Sequence, residues 1–285
     1  MSLELAGVSY KYSPDTPYER LALKNINLKI MPGEFVGIIG HTGSGKSTLV
    51  QHLNGLLTPT EGRIFIDGVD IGGKTPEAKG TRRKVGMVFQ YPEHQLFAET
   101  VYADVAFGPR NAGADEAEVE ARVRYGMCFA GLNYEEFKDR SPFTLSGGQM
   151  RRAAIAGVIA LQPPYLILDE PTAGLDPRGR DEILAGIRRL YRESRLTVVL
   201  VSHNMAEVVR MAKRIIVMHE GGILFDGPPG AVFAQDQQLL EQAGIRLPAI
   251  SRLMRALAGK GKPVKPNVLT VDEAVKEILP WARGR

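Results

Sequence analysis

The stretch Gly40-His41-Thr42-Gly43-Ser44-Gly45-Lys46-Ser47-Thr48 has the residue types and spacing that hold phosphates. A glycine, four free positions and then Gly-Lys-Ser make a loop whose backbone N–H groups turn inward on an anion. The helix expected to follow adds the positive end of its dipole. Lys46 would reach the β and γ phosphates of a nucleotide, and the Ser47 hydroxyl would face a magnesium ion. A glycine-rich turn ahead of an ordinary helix is the bland alternative, and the flanks argue against it. Phe35 to Ile39 reads as a buried strand, and Leu49, Val50, Leu53 and Leu57 recur at helical spacing until Gly55 and Pro59.

Further along, Tyr165 to Leu168 is an apolar run ending in Asp169-Glu170. That describes a buried strand with two carboxylates at its tip, the end of the sheet where α/β proteins hold ligands. Asp169 is suited to hold magnesium through water. Glu170 is suited to orient and polarise an attacking water as a general base. His203 follows the apolar strand Val198 to Val201 and Ser202. A lone histidine there is more often structural, but its place at a core strand end favours contact with a γ-phosphate. Gln90, at the end of the strand Val85 to Phe89, could bring an amide to magnesium or water. The side chains of His52, His94 and His219 carry no such signal, and His41 enters only as a loop residue.

Leu145-Ser146-Gly147-Gly148-Gln149 is a second anion-binding pattern. Ser146 is a good N-cap, and the two glycines leave backbone N–H groups open at a helix start. A capped helix with a flexible entry is the alternative. Its distance along the chain from the first loop raises the question of whose phosphate it would meet.

The elements needed to position these groups alternate. Residues 3 to 39 read mostly as strand, with Pro14 and Pro17 interrupting and Pro32-Gly33 turning the chain. Gly62 to Gly68 ends in an Asp-Gly turn and predicts a hairpin. From Tyr91 to about Ala160 helical patterns dominate, and the acidic run Asp115 to Glu120 reads as the solvated first turn of a helix. Strands at 165–169, 197–201, 215–217 and 223–225, with helices after Arg178 and His203, imply a mostly parallel sheet covered on both faces. From about residue 235 the pattern is irregular, helix-leaning and basic, with Gly259 to Lys262 as a loop.

Composition narrows the class. The 285 residues are enough for one large domain, with or without an appendage, and 44% apolar and 24% charged is ordinary for a globular protein. A net charge of +4 does not by itself argue for nucleic acid. The single cysteine, Cys128, excludes an internal disulfide framework and a cysteine-based metal site, and suits a reducing cytoplasm. No apolar run approaches the roughly 20 residues that cross a bilayer, and Met1-Ser2-Leu3-Glu4 lacks the start of a secretory signal. Work at a membrane would need other subunits to span it.

Taken together, the phosphate loop at 40–48, Gln90, Leu145 to Gln149, Tyr165 to Glu170, Ala173-Gly174-Leu175-Asp176 and His203 resemble the ATPase subunits of ABC transporters. The resemblance runs from about residue 3 to 230 and implies an α/β fold. Its parts would be a RecA-like P-loop NTPase core, an N-terminal antiparallel β subdomain, an inserted α-helical subdomain at about 91–160 and a small C-terminal extension. It implies an ATPase domain over 1–234 and an extension over 235–285. In that family two ATPase domains pair head to tail around two ATP molecules with Mg2+. Ser146, Gly147, Gly148 and Gln149 of one chain would then cap the γ-phosphate held by the other, and Asp176 would couple the two sites. Tyr12 resembles the aromatic residue that stacks on adenine, with core packing as its alternative. Gln90 to Phe97, Thr100-Val101 and Asp104 to Pro109 are similar to energy-coupling factor and cobalt/nickel-type ATPases. In that group this segment helps receive a transmembrane partner.

Gln149 to Arg152 and Ala154 to Gly157 resemble the second of that group's two paralogous ATPases. Leu247-Pro248 and Leu253 to Leu257 resemble its C-terminal dimerisation segment, with a merely stabilising tail as the alternative. The implied role is ATP hydrolysis driving import of vitamins or metal ions. The implied partners are a second ATPase subunit, a paralog in a heterodimer or a copy in a homodimer, a transmembrane coupling subunit and a substrate-binding membrane subunit, without nucleic acid. The implied location is peripheral, on the cytoplasmic face of the cell membrane. The alternatives are a soluble ABC-type ATPase of DNA repair, chromosome maintenance or translation, and a paralog that binds without hydrolysing. The former usually carry coiled-coil insertions, zinc cysteines or fused ATPase domains, none visible here; Glu170 and His203 argue against the latter.

Overall fold

The computed structural model of the protein describes residues 2–235 and 237–283. β1 (Leu3–Tyr12) and β2 (Arg20–Ile30) form an antiparallel pair with Tyr12 opposite Arg20 at its open end. β3 (Phe35–Ile39) runs into the glycine loop, and α1 (Lys46–Leu53) leaves it. β4 (Glu61–Ile66) and β5 (Val69–Asp70) are joined by Asp67 and Gly68 at φ 54° and 81°. Two positive φ values are what a type I′ hairpin turn requires, so the expected hairpin is present. α2 (Pro76–Arg82) and β6 (Val85–Val88) follow. The helical stretch comprises α3 (Val101–Asn111), α4 (Glu116–Phe129), α5 (Tyr134–Phe137) and α6 (Gly147–Ala160). β7 (Tyr165–Asp169), α7 (Pro177–Glu193), β8 (Thr197–Val201), α8 (Met205–Met211), β9 (Arg214–His219) and β10 (Gly222–Gly227) then alternate. α9 (Pro229–Phe233), α10 (Gln237–Gln242), α11 (Ala249–Gly259) and α12 (Val271–Arg283) form the tail.

The strands build two sheets, one of order β2-β1-β4-β5 and one of order β10-β9-β3-β8-β7-β6. The larger is parallel apart from its edge strand β10. Its strands are apolar on both faces because both are covered, as parallel sheets require. Leu166, Leu168, Val198 and Leu200 point to a core shared with α6, α7 and α8. Their neighbours Ile167, Val199 and Val201 point to a core shared with α1 and the smaller sheet. Each fully buried aliphatic side chain contributes roughly 1.5–3 kcal/mol. Burial on both faces therefore holds the strand tips, where the acidic and histidine residues emerge.

α3, α4 and α6 pack on a separate core that includes Val101, Val105, Val123, Met127 and Ala156. Asp115 caps α4 by accepting from the Glu118 N–H at 2.8 Å, so the acidic run is a solvated first turn as expected. Two features differ from the sequence reading. α1 stops at Leu53, leaving Leu57 outside it. The tail is more regular than its composition implied, because its apolar faces find partners. Leu240, Ala243 and Ile245 join the main core, while Met254, Val264, Val268 and Ala274 form a small core of their own. Among the described residues no helix is long and apolar enough to cross a membrane.

Candidate nucleotide site

Gly45 shows why the loop has its sequence. It lies at φ 102°, and a Cβ there would stand 2.7 Å from the Ala22 carbonyl oxygen. Only glycine accepts both the left-handed backbone and the close approach. The loop opens into a cleft lined by Thr42, Gly43 and Gly45 to Thr48, with Gln90, Asp169 and Glu170 opposite. Lys46 folds back over the loop, its Nζ donating to the carbonyls of Gly40 at 2.9 Å and His41 at 2.8 Å. Burial lowers its pKa, opposed by the charges of Glu170 and Asp169. Asp169 is only 4% exposed. Burial raises its carboxyl pKa and the Glu170 charge adds to this, while the Ser47 hydroxyl beside it pulls the other way. The cleft thus holds a cation and a carboxylate that are both poorly solvated, an arrangement suited to a charged ligand.

Glu170 follows β7 with φ 52°, a left-handed conformation that costs an ordinary residue on the order of 1 kcal/mol. Its N–H donates to the Val201 carbonyl at 2.9 Å, and its Oε2 lies 2.9 Å from His203 Nδ1. His203 is largely exposed, and the carboxylate fixes the direction of its ring. Behind it Asn204 caps α8, and the buried Glu207 accepts from the hydroxyls of Thr172 and Ser202. Tyr12 stands at the rim of the cleft, its hydroxyl 3.1 Å from Thr48 Oγ1 and its ring edge-on to Tyr10. The half-buried Tyr10 also packs against the buried His52.

Ser146 lies outside this cleft. It caps α6, with its N–H donating to Gln149 Oε1 at 3.0 Å and its Oγ facing the Gln149 N–H at 3.4 Å. Gly147 has open space around it. Asp176 caps α7 through the Gly179 N–H at 2.6 Å, and lines a second cleft with Gln149 and Arg152. No lining residue is common to the two clefts. The chain therefore brings Lys46, Ser47, Gln90, Asp169 and Glu170 together, and leaves the glycine-rich helix start facing elsewhere.

Three polar side chains escaped the sequence reading as parts of this region. Arg20 lines the cleft because it pairs across the hairpin with Tyr12, and no local pattern marks that register, which shifts three times along the pair. Glu207, four positions after His203, carries the hydrogen bonds that hold the histidine loop. Arg151 is 4% exposed inside α6, and a charge on the inward side of an apolar helix was its only signal.

The family model described as ABC transporter matches residues 23–173. An energy-coupling factor transporter ATP-binding protein of Clostridium tetani is 50% identical over 98% of this chain and 96% of its own length. Its namesake from Clostridium perfringens is 51% identical over 100% and 99%. The chain belongs to the energy-coupling factor ATP-binding proteins of the ABC transporter family. Solved structures agree with this membership. One is Clostridium perfringens cbiO1, described as part of the ABC transporter complex cbiONQ. It matches with a TM-score of 0.71 and 39% identity, over 88% of this chain and 98% of that one. The ABC transporter cassette MJ0796, solved as a dimer, matches with a TM-score of 0.73 and 33% identity, over 79% and 98%. As an ABC ATPase, an energy-coupling factor protein binds ATP, and its two-sheet core with a helical insert is the fold of those cassettes.

Proposed function

We propose that this chain hydrolyses MgATP in a head-to-tail dimer and so drives an energy-coupling factor importer of vitamins or transition-metal ions. Residues 1–234 serve as the ATPase domain, with its helical subdomain at about 91–160, and residues 235–285 as an extension that supports pairing. The second ATPase subunit is a paralog or a copy. A transmembrane coupling subunit and a substrate-binding membrane subunit complete the importer, with this chain peripheral on the cytoplasmic face. The observation that carries the reading is the separation of Lys46, Asp169 and Glu170 from Gln149 and Asp176 into clefts with no shared lining, with Ser146 exposed at the helix start outside the first cleft. Each chain then supplies one half of each site.

Lys46 and the loop N–H groups hold the β and γ phosphates, and Tyr12 offers its ring to adenine. Glu170 takes the proton of the attacking water, while His203, oriented by that same carboxylate, meets the γ-phosphate. The donor set fits magnesium: the Ser47 hydroxyl lies against the Asp169 carboxylate, and Gln90 adds an amide oxygen, all hard oxygen ligands. When bound, the ion neutralises charge that builds on the phosphate oxygens. Removing a general base costs about 10²–10⁴-fold in rate. Glu170→Gln is therefore expected to bind MgATP with near wild-type affinity, to lose at least about a hundredfold in turnover, and to accumulate as closed dimer. Steady-state phosphate release and light scattering measure both. Wild-type turnover in the variant would remove Glu170 from its role.

A further inference from the structure

Arg151 is a buried guanidinium on α6, two positions beyond Gln149. Its Nη2 donates to the carbonyls of Gln90 at 2.6 Å and Glu170 at 3.0 Å, and its Nε to the carbonyl of Pro171 at 3.2 Å. Glu93 stands 3.7 Å from Nη1 as its counter-ion. One side chain thus ties the two loops that deliver Gln90 and Glu170 to the helix whose first turn is Ser146 to Gln149. A planar guanidinium can span carbonyls from separate segments in fixed directions; an ammonium on a flexible stem cannot. Glu170 is also the residue held at φ 52°, so its carbonyl needs a fixed donor to keep the side chain turned toward His203.

We infer that Arg151 is a positioning residue for hydrolysis: it sets the backbone of Gln90 and Glu170 and makes them move with the Ser146 helix start. The inference rests on the proposed function, since that helix start closes the partner's ATP while Gln90 and Glu170 serve their own. Arg151 then links the two ATP sites of one dimer. It lines neither cleft, so its loss should spare nucleotide affinity and slow the chemical step.

The test compares Arg151→Lys and Arg151→Met in the full chain, within the ATPase assembly in which it purifies. MgATP dissociation constants, kcat and amide exchange of the nucleotide-free protein are measured. The expected result is a kcat lower by tenfold to a hundredfold in both variants, with the dissociation constant within about threefold of wild type. Amides of Gln90, Tyr91, Glu93, Glu170, Thr172 and Ala173 should exchange faster, and lysine should not rescue. Wild-type kcat, rescue by lysine, unchanged exchange in those segments, or an equal loss of affinity and kcat would each overturn the inference. If neither variant folds, Glu93→Gln decides: it keeps the arginine but removes its counter-ion, and should lower kcat severalfold at unchanged affinity. Wild-type kcat in Glu93→Gln overturns the inference. A wild-type chain without MgATP hydrolysis would instead overturn the proposed function, and this inference with it.

Discussion

Lys46 braces the loop that it serves. Its ammonium satisfies two loop carbonyls, and burial without a full ionic partner lowers its pKa. A nucleotide's phosphates would supply that partner. A hydrogen bond to a charged group is worth about 1.5–3 kcal/mol. Lys46→Ala should therefore weaken MgATP binding by roughly 10- to 100-fold, and more if the unbraced loop rearranges. Titration calorimetry on the isolated chain measures it directly. An affinity equal to wild type would mean that the phosphates bind elsewhere.

At the scale of elements, the β4–β5 turn is tied to the larger sheet through Asp67. Its carboxylate accepts from the Lys84 ammonium at 2.7 Å, from the Tyr165 hydroxyl and from the Ser2 N–H at 3.1 Å. Burial alone would raise this carboxyl, but the hydrogen bonds from Lys84 and Tyr165 outweigh it and leave the pKa below the ordinary aspartate value. A folded pKa below the unfolded one adds stability above the unfolded pKa, and that stability is lost as pH falls through the folded one. Asparagine tolerates the φ of 54° found here. Asp67→Asn should thus cost about 1–2 kcal/mol at neutral pH and progressively less below about pH 4. Denaturant melts across pH check this. A cost independent of pH would mean that packing, not the carboxylate, holds the turn.

Most of this fold was readable for reasons local to each element. The apolar runs at Phe35–Ile39, Tyr165–Asp169 and Thr197–Val201 are buried on both faces, so their composition alone marks them as central strands. Asp67-Gly68 and Ser146 declare a turn and a cap through side-chain chemistry that acts within four residues. The contacts that escaped notice join distant segments. Arg151 reaches 61 residues back to Gln90, and Thr172 reaches 35 residues forward to Glu207. Nothing in the periodicity around those residues encodes such pairings. The tail was unclear because its helices are short and their apolar faces mean little until α11 meets α12.

For the whole molecule the decisive property is incompleteness. The cleft that holds Lys46, Asp169 and Glu170 contains no group from the Ser146 helix start, which stands exposed with two glycines beside it. An exposed helix N-terminus with open N–H groups can take an anion, which is the role proposed for it in the shared site. Ser146→Arg should then leave MgATP binding to the single chain unchanged, because no residue of the chain's own cleft is touched. The cap it removes is worth about 1 kcal/mol, a loss that Ser146→Ala reproduces and a thermal melt can match. The bulk and charge of arginine at the same position should additionally abolish ATP-driven pairing in the Glu170→Gln background, whether the second subunit is a copy or a paralog. Light scattering with and without MgATP separates the two effects. Arginine and alanine variants that dimerise as fully as Glu170→Gln alone would show that the phosphate loop closes without this helix. Loss of MgATP binding in the single chain would show that Ser146 serves its own cleft. Either result would undo the shared-site arrangement while leaving the phosphate loop intact.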